Sequence, residues 1–125
     1  MECKQEIPVY DLYLNQGQTT TIGLEFADGD GNPIDITNDT FEWNLKDNVD
    51  SDTYLIQATN SDVINSRIVI SDQTTSKGEA TLIISGNDTA SLTPKVTDVQ
   101  NLRWVDSNGE PTFPFKGIFV LKPSV

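Results

Sequence analysis

Alternation of apolar and polar residues is the main pattern along the chain, and it is clearest in the stretch FEWNLKD at residues 41–47. There Phe41, Trp43 and Leu45 are separated by single polar or charged residues. A β-strand with one buried face and one solvated face has this two-residue period. The stretch therefore predicts a strand whose three large apolar side chains face the core.

Further stretches with the features of strands follow at intervals of about ten residues. In residues 19–26, Leu24 and Phe26 share a face with Ile22, and the β-branched residues that open the stretch favour extended backbone. These strands and the polar turns between them predict a single domain over residues 1–125, an all-β antiparallel sandwich of about seven to nine strands. Residues 1–6 are expected to be flexible. The other candidate strands are Val9–Leu14, Thr53–Ala58, Ile64–Ile70, Glu79–Ser85, Val99–Val105 and Phe113–Leu121.

Clusters of glycine, proline, asparagine and aspartate separate the candidate strands. The clusters ADGDGNP, DNVDSD and DSNGEP are the most pronounced. The last of them contains Asn108-Gly109, a dipeptide that tolerates positive φ angles. It predicts a tight hairpin between the last two strands.

One short segment has a helical signature. Ser85 opens an S-x-x-D pattern that ends at Asp88, and Pro94 stops the segment. A serine followed three residues later by an acidic residue is a variant of the capping box. The pattern predicts one or two helical turns near residues 87–92, and such a turn between strands of opposite sheets is common in immunoglobulin-type sandwiches.

Prolines mark the places where a strand lies at a sheet edge, because proline donates no ladder hydrogen bond. Pro8 precedes the first candidate strand, and Pro111 and Pro114 lie at the entry to the last one. We expect both ends of the chain to run along sheet edges at these points.

The last candidate strand has apolar residues on both faces. Phenylalanines at 113, 115 and 119 and Leu121 alternate on one side, while Ile118 and Val120 occupy the other. Gly117 lies between the two sets and predicts a β-bulge that switches faces.

Eight residues on the predicted inner faces are expected to anchor the core. Trp43 shares the phase of Phe41 and Leu45, and Trp104 shares the phase of Leu102. Truncation of either tryptophan to alanine should therefore cost about 3–5 kcal/mol of stability. The expected anchors are Phe26, Phe41, Trp43, Leu45, Leu82, Ile84, Leu102 and Trp104.

The charge of the chain narrows the classes of partner. It has 8 basic and 19 acidic residues, for a formal charge of −11. Such a charge repels phosphate backbones and anionic membrane surfaces, so we expect neither a nucleic acid nor a membrane as partner. The start, MECKQEIPVY, lacks the apolar run of a secretory signal, which predicts synthesis in the cytoplasm.

Residue types that carry catalysis are scarce. The chain has no histidine, and its single cysteine is Cys3 near the start. This composition disfavours zinc sites, nucleophilic catalysis with a histidine base, and an internal disulfide. We therefore expect a protein that is not an enzyme, with no catalytic residue and no cofactor.

The DGDGN stretch contains the only candidate metal ligands, Asp28, Asp30 and Asn32, at the alternate spacing that opens a calcium loop. An EF-type loop needs glycine at its sixth position and glutamate at its twelfth, and these positions hold Pro33 and Asp39. The pattern favours a β-turn. A loose calcium site is the alternative.

Several motifs follow one another in an order that points to a family. They are Gly17-Gln18-Thr19, then Gly31-Asn32-Pro33-Ile34-Asp35-Ile36-Thr37, then Asp106-Ser107-Asn108-Gly109, then Lys116-Gly117-Ile118. In this order, across nearly the whole chain, they resemble small immunoglobulin-like domains of tailed-phage tail and baseplate proteins, including the start of baseplate upper proteins. The resemblance implies an immunoglobulin-like sandwich with a structural role, and it carries over no catalytic residue.

From the resemblance we expect a non-enzymatic virion structural protein, made in the host cytoplasm and placed in the tail, baseplate or fibre-attachment region. Its partners would be other virion proteins in a symmetric multi-copy assembly. One alternative is a carbohydrate-binding or host-adhesion module. Another is a capsid decoration protein.

Outward-facing apolar residues are the candidates for such contacts. If several of them were neighbours on one sheet, they would form a patch large enough to indicate a permanent protein neighbour. The candidates are Tyr13, Leu55, Val69, Ile83 and Val105.

Overall fold

The computed structural model describes residues 9–48, 50–95 and 98–123. These residues form eight β-strands and one short helix. Residues 1–6, Cys3 and Pro8, on which the sequence made predictions, lie outside the described residues. The elements are β1 (Leu12–Asn15), β2 (Thr20–Glu25), β3 (Thr40–Lys46), β4 (Ile56–Thr59), β5 (Arg67–Ile70), β6 (Glu79–Ile84), α1 (Gly86–Thr89), β7 (Asp98–Val105) and β8 (Pro111–Lys122).

The strands form two sheets that pack on one core. The larger sheet has five strands in the order β1-β8-β7-β3-β4, and the smaller sheet has three in the order β2-β6-β5. Neighbouring strands are antiparallel except for β1 and β8, which run parallel. The predicted all-β sandwich is confirmed, with one parallel pair between the first and last strands.

β1 begins at Leu12, later than predicted, because the side chain of Asp11 interrupts the backbone hydrogen bonds between this segment and β8. The Asp11 carboxylate Oδ1 accepts the backbone N–H of Ile118 at 3.0 Å, in place of a backbone carbonyl. Val9 nevertheless forms an isolated parallel bridge with Lys116. The N-terminal segment therefore follows β8 beyond the strand itself.

β4 and β5 also begin later than predicted, and local hydrogen bonds and backbone angles explain both cases. Before β4, Ser51 Oγ donates to the carbonyl of Thr53 and accepts the N–H of the same residue, which holds a turn there. Before β5, Asn65 has a φ of 62°, which ends extended backbone. Sequence alternation at residues 53–55 and 64–66 did not reveal these turns.

α1 is shorter than the predicted segment at 87–92. Ser85 caps it as predicted, because its Oγ accepts the N–H of Asn87 at 3.2 Å. Asp88, however, does not complete a capping box, because its Oδ2 accepts the N–H of Ser66 at 3.0 Å. Beyond the helix, the carbonyls of Ala90 and Leu92 accept hydrogen bonds from the Gln16 side chain, which ties this loop to the β1–β2 turn.

The β-bulge of the last strand lies at residues 113 and 114, and the prediction of a bulge at Gly117 is wrong. The register between β7 and β8 shifts between Leu102 and Trp104, so that two residues of β8 oppose Arg103. Pro111 and Pro114 lie in the part of β8 that pairs with β7 alone, which agrees with the predicted local edge. Gly117 instead allows a close approach of the segment before β1.

The core lies between the inner faces of the sheets. Phe41, Trp43 and Leu45 of β3 are fully buried, as the alternation predicts. The Trp43 Nε1–H donates to Gln100 Oε1 at 2.9 Å, and Gln100 Nε2–H donates to the carbonyl of Tyr10 at 2.7 Å. The buried residues among the expected anchors are Phe26, Phe41, Trp43, Leu45, Leu82, Ile84 and Leu102.

Trp104, the eighth expected anchor, is only partly buried and packs at the margin of the core. Its ring centroid lies 5.0 Å from that of Phe26 and 6.1 Å from that of Phe41. Its Nε1–H donates to Asp39 Oδ2 at 2.8 Å. The polar atom of this indole is thus bound within the protein.

Candidate functional site

The DGDGNP loop is a hairpin turn stabilised by its own first aspartate. Asp28 Oδ1 accepts the N–H groups of Asp30 at 2.9 Å and Asn32 at 3.0 Å. Gly31 has a φ of 84° and donates its N–H to the carbonyl of Asp28. The geometry is that of the predicted turn. Calorimetric titration with Ca²⁺ tests the alternative of a loose ion site.

The DSNGEP loop repeats the same turn, residue for residue. Asp106 Oδ1 accepts the N–H groups of Asn108 and Glu110, and Gly109 has a φ of 81°. The predicted hairpin between the last two strands is confirmed, although only the glycine of the Asn108-Gly109 pair has a positive φ. The spacing that resembles a calcium loop is the signature of this turn, which the chain uses twice.

The structure does not bring the five outward apolar candidates together. Val69 and Ile83 lie on the outer face of the smaller sheet, at diagonal positions of β5 and β6. Tyr13 and Leu55 lie at opposite edges of the larger sheet, and Val105 lies at the end of β7. They therefore do not form one patch.

A groove of about 430 Å³ runs across the outer face of the larger sheet. Strands β3, β7 and β8 form its floor, and the segment before β1 forms one wall. Neither tryptophan borders it. The residues of the groove are Val9, Asp11, Asn44, Lys46, Val99, Gln100, Asn101, Lys116, Gly117 and Ile118.

A row of amide side chains crosses the floor of the groove and continues beyond it. Asn44 Nδ2–H donates to Asn101 Oδ1 at 3.2 Å, and Gln57 Nε2–H donates to Asn44 Oδ1 at 3.1 Å. These residues are directly opposed on β7, β3 and β4. Asn44 is only 6% exposed although it lies on an outer face. The hydrogen bonds hold the amides in fixed orientations, which suits the binding of a polar surface.

Apolar residues flank the row on the β8 side. Ile118 is 37% exposed and pairs with Val99 across the β7–β8 ladder. Val9 is 69% exposed and lies beside Lys116. Neither Val9 nor Ile118 is among the predicted outward candidates, because the sequence left the phase of the last strand open. The alternation of residues 116, 118 and 120 along the last strand is the sequence feature from which the outward position of Ile118 could have been predicted.

Basic residues are concentrated on this face. The Lys46 Nζ lies 5.1 Å from the centroid of the Tyr54 ring, at the distance of a cation–π contact. Within the described ranges, Lys95–Asp98 is the only ion pair within 4.0 Å, so the lysines of the groove have no acidic partner there. The basic residues on the outer face of the larger sheet are Lys46, Arg103, Lys116 and Lys122.

Asp98, the first residue of β7, has a buried carboxylate on the inner face of the sheet, opposite to the face that carries the groove. It is 1% exposed, and neither of its oxygens accepts a hydrogen bond from the described residues. Lys95 Nζ lies 3.7 Å from its Oδ1. Burial raises the pKa of Asp98, while Lys95 opposes this shift.

Within the residues that the structure describes, no three histidine, cysteine or acidic side chains are grouped as a metal site would need.

No protein-family model matches the chain, and no curated protein is significantly similar to it in sequence. In the described part of the chain, no helix has the length and apolar character needed to cross a membrane. The fold and the groove are therefore the basis on which a function is proposed.

Proposed function

We propose that the protein is a non-enzymatic structural subunit of a tailed-phage virion, in the tail, baseplate or fibre-attachment region, and that the groove binds a neighbouring protein. The virion role rests on the ordered motifs that resemble tail and baseplate domains, and the contact rests on the composition of this one sheet face. Exposed Val9 and Ile118 lie beside a fixed row of amides and two lysines. Protein interfaces also combine apolar side chains with hydrogen-bonding polar groups in one patch.

The scaffold supports such a contact energetically. The groove residues lie on strands and not on a long loop, and Asn44 and Asn101 already hydrogen-bond to each other. Binding therefore orders few side chains, and little conformational entropy is lost. In a symmetric multi-copy assembly the same modest contact is repeated, which strengthens the assembly as a whole.

The test is binding to the tail and baseplate proteins of the same virus. We expect the purified chain to form a complex with at least one of them, measured by light scattering after size exclusion and by calorimetry. Ile118→Asp should weaken this complex by about tenfold or more, because it places a charge at the apolar side of the groove. If the wild-type chain stays monomeric with every one of these proteins, the proposal is wrong.

Val69→Asp is the matched control. Val69 is 44% exposed, close to the exposure of Ile118, but lies on the outer face of the smaller sheet. The same charge there should leave the complex unchanged. Equal losses from both variants would place the contact elsewhere.

The alternative of a carbohydrate-binding module has less support from the geometry. Such modules present aromatic rings to a sugar. Here Trp43 is fully buried, and the indole N–H of Trp104 is bound to Asp39. A glycan array separates the two classes, since ligand binding there without any protein partner would favour the module.

A further inference from the structure

The groove is the basic face of an acidic protein. Four of the 8 basic residues of the chain lie on the outer face of the larger sheet, although the formal charge of the whole chain is −11. Asp11 is the acidic residue among those that line the groove, Glu42 lies on the same sheet face, and Asp47 follows Lys46 at the end of β3. Asp11 is bound to the backbone N–H of Ile118, and Glu42 lies opposite Arg103. Asp11 and Glu42 therefore each lie next to a hydrogen-bond donor that belongs to the basic face.

The opposite charge is concentrated at one end of the sandwich. Thr40 pairs with Val105, and Glu25 pairs with Glu79, so the loops at 27–39, 71–78 and 106–110 meet there. Among the described residues of these loops, Lys77 is the only basic one. We call this region the acidic end. Apart from the buried Asp39, its acidic residues are Glu25, Asp28, Asp30, Asp35, Asp72, Glu79, Asp106 and Glu110.

We infer that the occupant of the groove is a second copy of this chain, which places its acidic end against the basic face. The inference rests on the proposed function and names its partner. Each copy carries both halves of the contact, an unpaired basic groove and an acidic end. Complementary potentials of this kind fix which surfaces meet and disfavour other orientations.

The acidic end is preorganised for such a contact. Asp28 and Asp106 each hold two backbone N–H groups of their own loops, so both hairpins have a defined shape before binding. The side chains of Asp30 and Glu110 are exposed and accept no hydrogen bond from the described residues. Ordering the loops therefore costs little on association.

The two contact surfaces differ, so the contact is head-to-tail and not self-complementary. Contacts of this type close into rings or extend as chains of subunits. At an ionic strength of about 0.1 M the repulsion between whole molecules is screened beyond about 10 Å, while charges in direct contact still attract. Association should therefore be strongest near this salt concentration and weaker at about 1 M.

The test is the association state of the full chain by sedimentation velocity, up to about 0.5 mM protein. We expect oligomers of the wild type. Lys46→Glu with Lys116→Glu reverses the groove, and Asp30→Lys with Glu110→Lys reverses the acidic end. Each double variant alone should associate at least about tenfold more weakly, and their mixture should recover association because each retains the half that the other lacks.

Arg67→Glu, on the smaller sheet, is the control and should associate like the wild type. Circular dichroism and thermal unfolding of each double variant show that it is folded, and the recovery on mixing would itself exclude misfolding. A wild type that stays monomeric, or reversals that change nothing, would overturn the inference. If the monomeric chain still bound a tail protein through Ile118, the proposed function would stand without it.

Discussion

Gly117 is a residue of β8 against which the segment before β1 packs closely. A Cβ atom at this position would lie 2.5 Å from the carbonyl oxygen of Tyr10 and 2.7 Å from Asp11 Oδ1. Real Cβ atoms essentially never come so close to backbone oxygen. The glycine is therefore a condition for the pairing of the N-terminal segment with β8.

We expect Gly117→Ala to lower the free energy of unfolding by about 1–3 kcal/mol, the usual cost of forcing atoms into a filled space. Gly23→Ala is the control, because a Cβ there meets no atom within 4 Å. That change should be neutral or slightly stabilising, since alanine is less flexible than glycine in the unfolded chain. Urea denaturation of both variants measures the difference, and equal effects would contradict the close approach.

Asp98 is the residue whose ionisation opposes folding. Burial raises the pKa of its carboxyl above the ordinary value of 3.8, and Lys95 compensates in part. The unfolded chain therefore loses this proton first as the pH rises. The protonated Asp98 carboxyl stabilises the folded state fully at pH values below its ordinary pKa of 3.8. This contribution to the free energy of unfolding is lost as the pH rises through the higher pKa of the folded state.

We expect Asp98→Asn to gain stability relative to wild type as the pH rises from about 3.5 to about 7. Urea denaturation across this pH range measures the difference in the free energy of unfolding between the two proteins. The contributions of the other carboxylates are the same in both proteins and cancel in this difference. A difference that is constant with pH would mean that Asp98 has an ordinary pKa.

At the scale of elements, the chain joins strands with one five-residue turn used twice. The loops at 28–32 and 106–110 share an aspartate that binds two N–H groups and a glycine with a φ above 80°. Each is followed by a proline. Similar substitutions in the two loops should therefore have similar effects.

We expect Gly31→Ala and Gly109→Ala each to cost about 1–2 kcal/mol, because a side chain disfavours the left-handed conformation. Gly29→Ala in the same first loop should be close to neutral, since its φ is not in that region and a Cβ has open space. Thermal unfolding of the three variants tests this. A loss at Gly29 as large as that at Gly31 would contradict the shared turn.

Local patterns predicted the elements that depend on local forces. The alternation in residues 41–47 and the cap at Ser85 were read correctly, because each depends on neighbours in sequence. The parallel β1–β8 pair and the bulge opposite Arg103 depend on residues far apart in the chain, which a single pattern does not contain. The groove was missed for the same reason, since it needs the strand order to bring Asn44, Asn101 and Ile118 onto one face.

At the scale of the whole molecule, the uneven charge distribution affects stability as well as contacts. The acidic end gathers eight accessible acidic side chains, six of them in the described loops, around a single lysine. Their mutual repulsion favours the unfolded chain, in which they are further apart. Salt screens this repulsion and should stabilise the fold.

We expect the melting temperature to rise by about 2–5 °C when NaCl is raised from about 0.01 M to about 0.1 M, as the Debye length falls from about 30 Å to about 10 Å. Calorimetry at low protein concentration keeps association out of the measurement. Asp30→Lys with Glu110→Lys should reduce this dependence. A melting temperature that falls with salt would show that attractive pairs dominate.

The parallel pairing of the first and last strands determines how the domain responds to a pulling force. Leu12–Asn15 lies along Phe119–Lys122 in the same direction, so the chain enters the pair at one end and leaves it at the other. A force on the two chain ends would therefore shear every hydrogen bond of the pair at once, and would not unzip them one after another. The β1–β8 pair therefore resists tension along this axis more strongly than a pair that unzips one hydrogen bond at a time.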